Sequence, residues 1–321
     1  MRLLVLTHST RDPSFRVRWG RFASAFENAG WEFVPAEIPA SGQGRRVLLS
    51  TAADADVTVL HRRLFRGGDL DRLRRHARRL VYDFDDALLY RDRPPYRSWQ
   101  RERRFFGVIR AADLVLAGNR YLAMIARIVN KDVRVLPSTV DVEHLAPSEE
   151  SDPGFVAVWI GQRATLPHLE SVREAVLSAG ANIPGFKLRV IADSAPAGAE
   201  FVPWSEDAER DGLARAHVGL MPLPSSRFTR GKCGYKLLQY YAAGLPVIAS
   251  PVGVNRVLLD AGGLAARTPD EWSDAVSALA ADPARRAGLG VGGRRFVERR
   301  YASARLAPRL VGLLKSLCSP G

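Results

Sequence analysis

Short apolar runs alternate with longer amphipathic stretches along the whole chain, and this alternation restricts the fold more than any other feature. Leu3–Thr7, Glu32–Ala36, Val57–His61, Leu80–Phe84, Leu114–Gly118 and Val133–Pro137 are largely apolar, many of their residues β-branched. Strands covered on both faces read this way. The stretches between them carry helical spacing, as in Phe15, Trp19, Phe22 and Phe26, which fall on one face of a helix. Strand–helix alternation implies a parallel, doubly wound sheet. The pattern then restarts. Ser138–Gly154 is polar, holds two prolines and has no period, so it reads as a linker. "FVAVWIG", "FKLRVIA", "HVGLMPL", "PVIAS" and "GGLAA" follow as a second strand series. We therefore expect an α/β chain of two Rossmann-like domains, residues 1–146 and 147–321. "ASARLAPRLVGLLKSLC" is expected to close the second domain as an amphipathic helix, interrupted near Pro308.

No run approaches the roughly 20 apolar residues of a membrane span. The start, "MRLLVLTHSTRDP", has too short an apolar run for a secretory leader and reads as a first strand. Cys233 and Cys318 are the only cysteines; they give neither a disulfide framework nor zinc spacing, which points to the cytoplasm. The net charge of +13 is spread over both halves, but within the first half it is concentrated: Arg62–Arg104 holds 14 arginines against 7 acidic residues. Two readings stand for this region, solvated helix faces or a patch for anionic lipid headgroups or an acidic acceptor. No nucleic-acid-binding motif or interleaved aromatic pattern accompanies the arginines, which argues against nucleic acid.

Ligands of open parallel sheets bind beyond the carboxyl ends of the strands, so chemistry is sought just after each strand. In "RGKCGYKLLQYYAAGLPVIASPVGVN" (Arg230–Asn255), Gly231 and Gly234 bracket Lys232, and a helical pattern begins at Tyr235 with Lys236 in its first turn. A helix N-terminus carries about half a positive charge and free N–H groups, a lysine adds a full charge, and glycine lets backbone approach an oxygen closely. The combination suits a diphosphate, with the turn at Gly253 a second donor set. The same glycines would also serve as plain loop and cap punctuation. The stretch is not a P-loop.

"KLLQYYAAGLPVIASPVGVN" resembles the donor-binding segment of retaining glycosyltransferases of family 4 (group 1), which have the GT-B fold, two Rossmann-like domains facing across a cleft. "ADLVLAGNRYLAMI" with "VRVLPSTVDVEHLAP", "VAVWIGQRATLPHLESV" and "DEWSDAVSALAADPARRAGLGVGGRRFVERRYA" match the family in order. The resemblance implies transfer of a sugar from a nucleoside-diphosphate sugar, carried on UDP or GDP, to an acceptor hydroxyl of a small molecule, glycan or lipid-linked compound. It implies retention of configuration and no metal or other cofactor. The family's two glutamates, eight apart, are here Gly231 and Gln239. Gln239 can still bond ribose hydroxyls. Arg163, beside Gly161 in "GQRATLPH", fits the family's diphosphate-gripping arginine, and Lys232 is expected to supply the second cation. A nucleotide-sugar 2-epimerase and a non-catalytic scaffold on the same fold remain as alternatives.

"VYDFDDALLY" places Asp83, Asp85 and Asp86 directly after an apolar strand. They are the candidate catalytic residues, expected to position the acceptor hydroxyl; closely clustered carboxylates raise one another's pKa. Two other readings are a metal-binding Asp-x-Asp, and a helix cap paired with Arg91 or Arg93. After the first strand, His8, Arg16 and Arg18 are candidates for touching the acceptor. Trp204, in "FVPWSEDAE", is a candidate to border the nucleotide base. No Ser/His/Asp or Cys/His arrangement is visible in the sequence.

Overall fold

The structure is a computed structural model that describes residues 1–148, 152–194 and 196–319. It divides into two compact units. The first holds Met1–Thr139, the short segment Ser226–Cys233 and the stretch beginning at Ser303; the second holds Val140–Ser225 and Gly234–Ala302. Residues 149–151 of the linker expected at Ser138–Gly154 lie outside the described residues.

In the first unit the strands are β1 (Arg2–Thr7), β2 (Glu32–Glu37), β3 (Val57–His61), β4 (Leu80–Phe84), β5 (Leu114–Ala117) and β6 (Val133–Val135). They form one sheet in the order β2-β1-β3-β4-β5-β6, every neighbouring pair parallel. Side chains alternate between its faces, and helices cover both. Leu4, Leu6, Leu60, Tyr82 and Phe84 join one core with Leu73, Phe105 and Leu122. Leu3, Val5, Val59, Val81 and Leu116 join the other with Trp19, Phe22 and Phe26. Each large side chain so buried contributes on the order of 1.5–3 kcal/mol. The ladders pair Leu6 with Leu60, His61 with Asp83 and Phe84 with Ala117. The segments after β1, β3, β4 and β5 therefore leave the sheet together at one end.

The second unit has β7 (Phe155–Ile160), β8 (Phe186–Ala192), β9 (Glu200–Pro203), β10 (Val218–Met221), β11 (Val247–Ala249) and β12 (Gly263–Ala265). Their order is β12-β11-β10-β7-β8-β9, again all parallel. Val156, Val158 and Ile160 face Leu237, Tyr240 and Tyr241, while Phe155, Ala157 and Trp159 face Leu169, Trp272 and Val276.

The sequence pattern misses three features. β9 is a short edge strand ending in Pro203, with mostly exposed residues; edge strands tolerate proline and need no apolar run. Phe15, Trp19, Phe22 and Phe26 are all buried, as their spacing requires, but not on one helix. The helix Pro13–Arg18 ends at Trp19, a 3₁₀ turn follows at Gly20–Phe22, and a new helix runs Ala23–Asn28. The break lets Arg18 and Trp19, adjacent in sequence, both reach Asp83, whereas neighbours on a regular helix point about 100° apart. The closing helix runs unbroken from Ser303 to Cys318 with Pro308 inside it. Pro308 is exposed, so water can satisfy the carbonyl that loses its N–H partner. This helix was expected with the second domain. Its buried face, Leu306, Ala307, Leu310, Val311 and Leu314, instead covers the Trp19–Phe26 core of the first unit.

Candidate active site

The end of β3 and β4 in the first unit gathers eight hydrogen-bonding side chains into one continuous network. Parallel register sets His61 beside Asp83, and His61 Nδ1 lies 2.8 Å from Asp83 Oδ2. Arg18 donates to the same carboxylate from Nε at 3.0 Å and from Nη2, and Trp19 Nε1 donates at 2.8 Å. Arg18 Nη1 is spent on the Leu136 carbonyl at 2.9 Å. Asp83 and the Arg18 side chain have no solvent exposure. Burial alone would push the Asp83 pKa up, but Arg18 and His61 outweigh it and hold the carboxyl well below the usual range. Asp83 therefore stays ionised at neutral pH and anchors the network. Arg18, expected to touch an acceptor, is turned inward onto it.

From His61 the network continues outward. His61 Nε2 lies 3.2 Å from Ser14 Oγ, and Ser14 Oγ donates to Asp85 Oδ2 at 2.7 Å. Ser14, His61 and Asp83 therefore do line up, an arrangement the sequence concealed. It is not the machinery of a serine nucleophile, because the Ser14 hydroxyl is committed to Asp85 rather than to His61. On the far side Arg62 bridges the two outer acids, Nη1 to Asp85 Oδ1 at 3.1 Å and Nη2 to Asp86 Oδ2 at 2.8 Å. Arg62 is the one described non-glycine residue at positive φ, 58°. A left-handed arginine costs about 1–3 kcal/mol, and such strain gathers at functional sites. Here it places the guanidinium across both carboxylates.

The two outer acids are pushed apart. Burial would raise Asp85, but Arg62, then Arg18 and His61, hold it below the ordinary range. Burial raises Asp86; Lys232 and Arg62 only partly offset this, and ionised Asp85 repels it further. Carboxylates with such divergent proton affinities divide into a fixed charge and a proton-handling group. With Asp83 enclosed by three donors and the outer pair bridged by Arg62, the Asp-x-Asp spacing does not present two open carboxylates to a divalent cation. Among the described residues no group of three His, Cys, Asp or Glu has metal-holding geometry.

The segment Ser226–Cys233 packs on this network. Asn119 caps the helix Arg120–Ala126 through its Oδ1 and donates from Nδ2 to the carbonyls of Gly231 (2.9 Å) and Lys232 (3.2 Å). Cys233 Sγ donates to the Asp85 carbonyl at 3.1 Å, and burial pushes that thiol far up, so it is inert. Lys232, expected from the sequence at the diphosphate, stands 3.9 Å from Asp86 Oδ1 and 5.0 Å from the Phe228 ring. Gly231 is required by contact: a Cβ there would lie 2.5 Å from Ala87 Cβ and 2.7 Å from the Ala87 nitrogen. Glutamate cannot occupy the position, which accounts for glycine where the family pattern has an acid. Gly231→Ala is expected to lose about 1–3 kcal/mol by overpacking, measurable by urea denaturation. His8 is exposed and Arg16 half-buried.

The second unit gathers the remaining candidates. β7 ends at Ile160, and Gly161 leads into a 3₁₀ turn, Arg163–Thr165, whose Arg163 side chain is exposed. The Arg163 N–H donates to Asp193. Gly234, at φ 67°, starts the helix Tyr235–Ala242 without any side-chain cap; a residue with a Cβ would be strained there. The Lys236 ammonium lies 4.4 Å from the Trp159 ring centroid, joining this helix start to the end of β7. Gln239 is buried and donates to Glu209 Oε1, while the Trp204 indole, 41% exposed, donates to Glu209 Oε2 at 2.8 Å. Glu209 was missed because the run after Ser205 reads as the acidic first turn of a capped helix, which it also is. Gly253, at φ 57°, forms the turn before the helix Asn255–Leu259.

The family model for glycosyl transferases group 1 matches residues 119–282, half of the chain. The chain belongs to the group 1 glycosyltransferases. No curated protein is a significant match in sequence. Solved structures resemble this glycosyltransferase over nearly its whole length. A sucrose-phosphate synthase from Thermosynechococcus elongatus is 16% identical, covers 98% of each chain and has a TM-score of 0.77. Alr3699/HepE from Anabaena, in complex with UDP-glucose, is 13% identical over 98% of this chain and 100% of its own, TM-score 0.75. A glycosyltransferase from Rickettsia africae is 8% identical over 100% and 99%, TM-score 0.76. These likenesses establish the GT-B fold of the group 1 enzyme.

Proposed function

We propose that this group 1 glycosyltransferase moves a sugar from a nucleoside-diphosphate sugar to an acceptor hydroxyl, with retention of configuration and without a metal ion. The observation that carries the reading is the family match over residues 119–282. It contains every residue assigned to the donor: Gly161, Arg163, Trp204, Gly234, Lys236, Gln239 and Gly253, with Lys232. The HepE complex with UDP-glucose supports a uridine carrier.

The second unit holds the donor. Arg163, Lys236 and the N–H groups opening the helix at Gly234 offset the charge that develops on the departing diphosphate, an electrostatic role that needs no divalent ion. Gln239 and the carboxylate of Glu209 take the ribose hydroxyls, and the exposed Trp204 indole borders the base. The first unit takes the acceptor. Asp86, with its raised proton affinity, accepts a hydrogen bond from the attacking hydroxyl, while the leaving phosphate assists its deprotonation. Asp85 stays ionised and fixes Arg62, and Asp83 with His61 and Arg18 holds the group in place.

Retention is read most directly by NMR of the first product formed on incubating the enzyme with UDP- or GDP-sugars and candidate acceptors in the presence of EDTA. The expected anomeric configuration is that of the donor. An inverted product, or turnover that appears only after a divalent ion is restored, would overturn the corresponding half of the proposal.

A further inference from the structure

The chain leaves the outer acids through the buried Ala87, Leu88 and Leu89 and then turns outward. Tyr90 and Arg97 form an antiparallel bridge, closed by the Arg91 N–H donating to the Tyr96 carbonyl at 2.9 Å. The result is a small hairpin with Pro94 and Pro95 at its tip, followed at once by the helix Trp99–Ala111. The inner side of this helix is anchored through Phe105, Val108 and Ile109. Its outer start is apolar: Trp99 is 71% exposed and Tyr96 56%. Arg91, Arg93 and Arg103 are exposed around them, and the Arg103 guanidinium sits 5.6 Å from the Trp99 ring centroid. Residues 91–104 carry six arginines against Asp92 and Glu102, and Glu102 is neutralised by Arg97 at 2.8 Å.

An exposed tryptophan costs solvation free energy unless something covers it. Two exposed amphipathic rings, flanked in sequence by exposed arginines, match the bilayer interface, where indole and phenol rings settle at headgroup level and guanidinium groups pair with lipid phosphates. The exposed rings and the arginines beside them offer apolar area and positive charge together, and the chain as a whole carries +13. We propose that the Tyr90–Arg104 hairpin and helix start dock the enzyme on an anionic lipid surface, Tyr96 and Trp99 entering the interface and Arg91, Arg93 and Arg103 holding headgroup phosphates. Among the described residues no helix is long and apolar enough to cross a membrane. Docking does not depend on the sugar-transfer reading. Its consequence, a membrane-borne acceptor delivered to Asp86, rests on that reading.

Sedimentation with vesicles, without any sugar donor, tests the docking alone. The full chain is expected to pellet with vesicles of phosphatidylcholine containing phosphatidylglycerol, weakly with phosphatidylcholine alone, and less as salt is raised. Tyr96→Ala with Trp99→Ala should lower partitioning about tenfold through lost apolar burial. Arg91→Glu, Arg93→Glu and Arg103→Glu together should abolish it. All five side chains are exposed, so an unchanged Tm and circular dichroism spectrum are expected. Arg295→Glu with Arg299→Glu, on the helix Pro283–Arg300, should leave binding intact. Failure of the parent chain to bind anionic vesicles would overturn the proposal. So would an aromatic double variant that binds like the parent, or a control reversal that weakens binding as much as the hairpin reversal, since either would trace binding to bulk charge.

Discussion

Asp86→Asn is expected to lower the rate of sugar transfer about 10²- to 10⁴-fold, the usual range for a positioned proton-handling group, with donor affinity unchanged. The substitution keeps the shape and removes the charge. Arg62 and Lys232 keep their places but lose an anionic partner. The pH profile should carry the signature of this group. Burial raises the Asp86 pKa, so the acid limb of kcat/KM should lie above the ordinary carboxylate range of about 4, with activity falling as pH drops through it. Lys232 is the largest influence lowering that value. Lys232→Met should therefore move the limb to higher pH. An Asp86→Asn enzyme with parental activity would remove Asp86 from the chemistry.

Asp83→Ala should act on stability first. It removes the partner of a fully buried arginine, and breaking a buried pair from one side costs about 3–5 kcal/mol because the other charge is left uncompensated. Trp19 and His61 lose their acceptor as well. A large fall in urea midpoint is expected, and Arg18→Ala should match it within the limits of coupling between the two. Folding lowers the Asp83 pKa, so the unfolded chain binds that proton more readily. The stabilisation is complete at neutral pH and is lost as pH falls below about 4. The acid-unfolding transition of the parent should therefore be steeper than that of Asp83→Asn. Equal stability of parent and Asp83→Ala would mean that the buried pair is offset by its own desolvation.

The sheets were legible because buried parallel strands announce themselves as apolar runs, and the search beyond strand ends led to Asp83, Asp85 and Asp86. What sequence could not provide was the third dimension of that rule. His61 ends a strand and Arg62 follows it, yet their link to Asp83 depends on the β3–β4 register. Arg18 and Trp19 both reach Asp83 through a helix break that the aromatic spacing disguised. The three acids looked equivalent in sequence; burial by Arg18 and Trp19 makes one structural and leaves the outer pair at the surface of the network. Lys232 looked like part of the helix start that follows it, but Asn119, distant in sequence, fastens its segment beside Asp86. Gly231 read as a lost acid, whereas contact with Ala87 explains it. In the second unit, Gln239 and Trp204 were visible singly, while Glu209, which joins them, was hidden in a helix cap.

The second unit is expected to bind a nucleoside diphosphate through fixed positive charge. Titration calorimetry of UDP and GDP in EDTA, on the parent chain and on Arg163→Ala, tests it most directly. We expect one of the two diphosphates to bind the parent without added metal, and Arg163→Ala to weaken it by about 1.5–3 kcal/mol, as for a hydrogen bond to a charged group. Absence of binding to the parent by both nucleotides, or equal affinity for parent and variant, would contradict it.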